Sequence, residues 1–257
     1  MRGAPATVNI FGFRVKNTSL RGAAEAILDR SEKGLRENIF FVNAHCVNIA
    51  AKNPAYRKIL SRADCVFADG VGIALASIVA GQALRDNING TDLFPVLCDI
   101  AAQRKIPIAL LGARPDIVQR CADRMTSRYP GLNIVCALDG YFGPEKDDEV
   151  IAKINASGAK VLLVARGVPI QETWIDQLGH RIEVPQVMAV GGLFDFYSGH
   201  VMRAPLVMRR LGLEWLVRLA QEPRRLFRRY VIGNPVFLYR TFRLRIQGRS
   251  NLRNRLS

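Results

Sequence analysis

The sequence is short of the residues that hold metals. It has three histidines in 257 residues and neither a CxxC pair nor an HExxH run, so local spacing assembles no ligand set. Asp147-Asp148 lies in a charged, surface-like stretch instead of closing an apolar run. No metal and no cofactor are expected. The five cysteines, Cys46, Cys65, Cys98, Cys121 and Cys136, are an odd number in mostly apolar surroundings. That excludes a disulfide framework and points to buried thiols in a reducing compartment. Glycine-rich phosphate loops of the GxGxxG and GxxxxGK[ST] kinds are missing as well. So is any apolar run long enough for a bilayer, which takes roughly 20 residues. The longest weakly polar stretch, Val71 to Leu84, is interrupted by Gly72, Gly81 and Gln82 and reads as a buried helix. The first thirty residues show no basic segment followed by an apolar one and a small-residue cleavage site, so no signal peptide is expected and the chain is placed in the cytoplasm.

Acidic residues are scarce in one region only. From Val201 to the end there are fourteen arginines against two acids, Glu214 and Glu222, a net +12 out of the chain's +15. A nearly neutral body is thus joined to an arginine-rich tail that seeks a polyanion, either phospholipid headgroups or nucleic acid. In the tail Leu211, Trp215, Leu216 and Leu219 recur at helical spacing, Pro223 interrupts, and Leu226, Phe227, Tyr230 and Val231 resume the pattern. Arginines sharing helices with aromatic residues suit a membrane interface, where rings lie at headgroup level and guanidiniums meet phosphates. Trp215, Phe227, Tyr230 and Phe237 would also stack on bases, so a nonenzymatic nucleotide- or nucleic-acid-binding protein is the alternative reading.

Before residue 200 short apolar runs alternate with helical patterns. Ile39 to Val42 precedes Asn43, Cys65 to Ala68 precedes Asp69, and Ile106 to Leu111 precedes Gly112. Val161 to Ala165 then leads to Gly167, and Val187 to Val190 to Gly191-Gly192. Strands alternating with helices imply an α/β, Rossmann-like parallel sheet flanked by helices, residues 1–199, followed by a basic helical appendage, residues 200–257. The polar residues that close the strands then gather beyond the carboxyl edge, where such sheets bind ligands.

Several residues on that edge could carry chemistry. Asp69 closes a strand ahead of Gly70 and Gly72, and from position alone it is equally a general base and a helix cap. Asn43 closes the strand before it. His45 and Asn48 read more readily as ordinary polar residues behind a cap. Gly90-Thr91-Asp92 and the turn from Gly112 to Asp116 lead into helices whose free N–H groups can receive phosphate oxygens. In the segment Gly167 to Glu172, Gln171 can meet a base or sugar edge while Glu172 caps or pairs locally.

The blocks Asn43, Ala68-Asp69-Gly70-Val71-Gly72 and Asn89-Gly90-Thr91-Asp92-Leu93, then Asp139-Gly140-Tyr141-Phe142, Gly167 to Glu172 with Trp174, and Gly191 to Phe196 through Arg203-Ala204-Pro205 resemble the WecG/TagA/CpsF transferases, glycosyltransferase family 26. The tail blocks Gly212 to Leu219, Glu222 to Leu226 and Arg228-Arg229-Tyr230 are similar to that family's C-terminal appendage. The resemblance spans residues 10 to 245. It implies a UDP-sugar donor (N-acetylmannosamine, its uronic acid, or glucose), an undecaprenyl-diphosphate-linked acceptor, and an inverting, metal-independent transfer in surface polysaccharide assembly. The expected setting is the inner face of the cytoplasmic membrane, with an anionic membrane surface as partner and no nucleic acid. Asp69 takes the position of the catalytic base, Asn43 and Gln171 match active-site polar positions, and Arg218, Arg225 and Arg228 match arginines that close over a diphosphate. Two positions depart from the family: Phe41 stands where a Thr is usual and Asn87 where an Arg is usual, with Arg85 nearby. The departures put the donor's identity in doubt, and the sequence leaves homo-oligomerisation open.

Overall fold

The computed structural model describes residues 6–253, of which residue 210 and residues 245–253 are described by their backbone alone. Eight strands form one sheet in the order β1-β2-β4-β3-β8-β7-β5-β6. They are β1 (Thr7–Ile10), β2 (Phe13–Lys16), β3 (Glu37–Val42), β4 (Cys65–Ala68), β5 (Ile108–Gly112), β6 (Ile134–Leu138), β7 (Val161–Ala165) and β8 (Gln186–Ala189). All neighbours run parallel except β1 and β2. That hairpin turns through Phe11 and Gly12, both at positive φ (55° and 88°), as a two-residue turn between twisted strands requires.

Strands β4, β5, β7 and β8 are buried along their whole length. Both of their faces are covered, which is why they read as continuous apolar runs instead of alternating ones. The five runs read from sequence are β3, β4, β5, β7 and β8. The hairpin β1–β2 and the edge strand β6 escaped that reading: the hairpin strands are four residues each and alternate in and out, and β6 is half-buried throughout.

Helices cover both faces. On one side lie α1 (Leu20–Glu32), α5 (Gly90–Arg104), α6 (Pro115–Arg128) and α9 (Leu193–Tyr197). On the other lie α2 (Ala44–Ala50), α3 (Pro54–Arg62), α4 (Val71–Val79), α7 (Asp147–Ala156) and α8 (Ile170–Leu178). Four cysteines are buried and Cys136 is half-buried, none of them paired.

One expectation is corrected here. The stretch from Val71 to Leu84 is not a buried helix: α4 ends at Val79 and leaves Val71, Leu75 and Ile78 exposed. These residues lie at i, i+4 and i+7, one face of the helix, while Ile73, Ala76 and Ser77 face the core.

The basic segment folds as α10 (Leu206–Arg210), α11 (Glu214–Gln221), α12 (Pro223–Phe227), a π-helical turn (Arg228–Ile232) and α13 (Gly233–Arg253). It packs back on the body. Phe237 of α13 is buried in the same core as α2 and α4, and its ring lies where a Cβ on Gly72 would come within 3.2 Å. The last residues, 254–257, lie outside those described.

Candidate active site

The carboxyl ends of β4, β3 and β8 are neighbours in the sheet, and each delivers one polar segment to the same edge. Asn43 follows β3. Its Oδ1 accepts from the N–H groups of His45 (3.0 Å) and Cys46 (3.1 Å), which makes it the N-cap of α2. Those two bonds fix the amide's orientation, because only the oxygen can accept them. The Nδ2 is therefore turned outward, and it donates to Asp69 Oδ2 at 3.0 Å. The cap and the site contact are two ends of one side chain.

Asp69 is relieved of capping. The N-cap position of α4 belongs to Gly70, at φ 91°, with no side-chain bond to the helix N-terminus. A carboxylate that satisfies no backbone donors of its own helix is not a cap, which removes one of the two readings that position alone leaves equal. Burial raises the Asp69 carboxyl above the ordinary 3.8, while the Asn43 amide and the charges of Arg229 and Arg218 pull it back down. Such opposed influences on a half-buried strand-end acid are a common signature of a functional site. His45, in the first turn of α2, is held neutral: burial and the Arg229 charge lower it to about 4.

The arginines come from the appendage. Arg218 of α11 lies against the glycine pair after β8, where a Cβ on Gly192 would approach its Nη2 to 3.5 Å. Its guanidinium carbon sits 4.7 Å from the centre of the Phe196 ring, its Nη2 donates to Glu222 Oε2 at 3.4 Å, and its Nε is buried without a hydrogen-bond partner. Arg229, in the π-helical turn, also keeps a buried, unpartnered Nε. That turn is fastened to the body by Asn48, whose Nδ2 donates to Gly233 O at 2.7 Å, and Trp215 packs on Tyr230 across it. The charges of Arg229 and Arg218 both reach Asp69, which makes this edge of the sheet favourable to an anion. Arg225 pairs with Glu222 at 2.5 Å and its charge reaches Asp195. Arg228, named by the resemblance, is exposed on the outside of the turn; the guanidinium whose charge reaches Asp69 is that of its neighbour Arg229.

Three sequence candidates also have structural roles. Asp92 is the carboxylate that anchors the start of the appendage, binding Arg203 and, at 3.7 Å, Arg209. Gly90 is the first residue of α5 behind the Asn89 cap. Gly112, at φ 144°, lets β5 close on β7, since a Cβ there would lie 2.4 Å from Ala165 O. Its α-carbon faces protein, and the N-cap of the following helix, Arg114, makes no side-chain cap bond.

Gln171 serves as an internal tie. It is buried, its Oε1 accepts from Gly167 N (3.2 Å) and Gly191 N (3.0 Å), and its Nε2 donates to Glu172 Oε1 (2.9 Å). It therefore joins the loops after β7 and β8 beneath the site. Phe41 lies in the core against Phe67, while Asn87 and Arg85 are exposed. Among the described residues no group of three His, Cys, Asp or Glu side chains could hold a metal ion.

Glu172 is fully buried, with Oε2 unpartnered. Burial pushes its carboxyl up to about 7 against the partial relief of the Gln171 bond. The folded state thus keeps a proton that the unfolded chain releases near 4.5, so stability falls as pH rises between those values. Glu172→Gln keeps the acceptor for Gln171 and carries no charge. It is expected to be more stable than wild type at about pH 8, by on the order of 3 kcal/mol, with the gain vanishing near pH 4.5. Urea melts at the two pH values check this, and a pH-independent difference would contradict it.

A Rossmann-like sheet whose carboxyl edge brings one strand-end acid under a set of appendage guanidiniums has the form of an α/β transferase. The chain matches the model of the Glycosyl transferase WecG/TagA/CpsF family over residues 8–251, and it belongs to that family. Its role is that of a glycosyltransferase.

Proposed function

We propose that the protein is an inverting, metal-independent transferase that moves a sugar from a UDP-sugar (N-acetylmannosamine, its uronic acid or glucose) to a hydroxyl of a sugar carried on undecaprenyl diphosphate. It works at the inner face of the cytoplasmic membrane, in the assembly of a surface polysaccharide. The observation that carries this reading is the Asn43–Asp69 pair beneath Arg218 and Arg229. Asp69 takes the acceptor's proton as that oxygen attacks the anomeric carbon from the face opposite the leaving group. The anomeric C–O bond to the diphosphate breaks, and UDP departs with its added negative charge against the guanidiniums of Arg218, Arg229 and Arg225. Asn43, held by its own cap bonds, orients the carboxylate.

Membrane placement is supported by the charge of the appendage and by its exposed Phe227, Tyr239 and Phe242. No helix of the described residues is long and apolar enough to cross a membrane. The test is a donor screen with an undecaprenyl-diphosphate-linked sugar analogue on anionic vesicles, followed by mass and anomeric configuration of the product. A disaccharide-lipid of inverted configuration is expected from one of the three donors. Release of free sugar and UDP at the same rate with or without acceptor would identify a hydrolase instead.

A further inference from the structure

Soluble α/β domains place apolar helix faces against their sheets, and α4 does so with Ile73, Ala76 and Ser77. It also carries a second apolar face that the described residues leave largely uncovered, only the turn at Gly212 reaching it, at Val71. Val71, Leu75 and Ile78 are 53, 43 and 63% exposed, and the helix has no charged residue at all. An uncharged helix that is apolar on two opposite sides is explained only if both sides are buried in use.

The elements touching α4 extend this face. Gly212, in the turn after α10, would bring a Cβ within 3.1 Å of Val71, and its neighbour Leu211 is 66% exposed. Helix α13 packs on α4 through Phe237 and Gly72, and turns Leu238 and Phe242 outward. No acid occurs in α4, α10 or α13. Arg240 and Arg243 share α13 with the exposed rings. An apolar surface without acids, bordered by guanidiniums, is complementary to anionic headgroups over hydrocarbon and to no aqueous partner of ordinary composition.

We infer that α4 of the catalytic body enters the surface of an anionic lipid bilayer together with α13, so that the body and not the tail alone docks on the membrane. The inference rests on the membrane-surface reading above and gives it a geometry. Val71 follows Asp69 by two residues, so docking through α4 brings the carboxylate to the lipid plane. An acceptor whose sugar is tethered to a lipid presents its hydroxyl at that level.

The test uses the full chain and vesicles of phosphatidylcholine with or without phosphatidylglycerol, read by co-sedimentation. Leu75→Glu/Ile78→Glu places two charges on exposed positions, and its melting temperature verifies the fold. Its affinity for the phosphatidylglycerol vesicles is expected to fall roughly tenfold or more. Leu75→Met/Ile78→Met, which stays apolar, should bind as wild type does. Undiminished binding by the Glu pair would overturn the role of α4 while leaving tail-mediated association intact. If wild type itself ignored the anionic vesicles, the membrane reading as a whole would fail. Sedimentation velocity covers the remaining occupant: a wild-type dimer that the Glu pair dissociates would assign the face to a second copy of the chain and overturn the inference.

Discussion

Asp69→Asn should abolish most transfer, lowering kcat by roughly 10²–10⁴-fold while the affinity for donor stays near wild type. Asn is close in size to Asp, and its Oδ1 can still accept from Asn43 Nδ2, so the 3.0 Å contact and the positive-φ turn at Gly70 need not change. Only the ability to take a proton is lost. The same assignment fixes the pH dependence. Asp69 must be ionised to act as a base, and its carboxyl is raised above 3.8 by burial. The rate therefore falls on the acid side at a pH higher than an ordinary aspartate gives. Single-turnover rates across pH, with donor affinity measured separately by calorimetry, check both points. Retention of wild-type kcat by Asp69→Asn would remove Asp69 from the chemistry.

The carboxyl edge could be read in advance because buried parallel strands leave an unmistakable trace: runs such as Cys65 to Ala68 contain no polar residue until the chain emerges at Asp69. The contact between Asn43 and Asp69 could not. It depends on β3 lying beside β4 in register, Val42 opposite Ala68, and the two residues are 26 positions apart. That Asp69 is not a cap was equally hidden, since Gly70 takes the N-cap position. Burial was harder to read than topology. Gln171 read as a residue able to meet a base or sugar edge, and it is buried with three hydrogen bonds inside. Val71, Leu75 and Ile78 looked like core because they are apolar. Composition records what a side chain prefers, and a site is often where the preference is not met.

The appendage arginines show where a motif stops being informative. Arg228 and Arg229 are adjacent, and adjacent residues on a helix point about 100° apart, so one of them can face Asp69 and the other cannot. Which one depends on the local winding, here a π-helical turn from Arg228 to Ile232, a feature frequent at functional sites and invisible in sequence. The turn presents Arg229, half-buried with a free Nε, and leaves Arg228 in solvent. Arg229→Ala is therefore expected to lower kcat/KM by roughly 10²-fold, the scale seen when one donor to a developing anion is removed. Arg228→Ala should stay within about threefold of wild type. Arg229→Lys should recover part of the loss, because an ammonium restores the charge without the planar pair of donors. A second readout separates this role from simple packing. The Arg229 charge holds the Asp69 carboxyl down, so its removal must shift the acid limb of the rate profile to higher pH, and Arg229→Lys must shift it less. A lost rate with an unmoved acid limb would make Arg229 a structural residue, and a larger loss from Arg228→Ala would return the anion site to the exposed side of the turn.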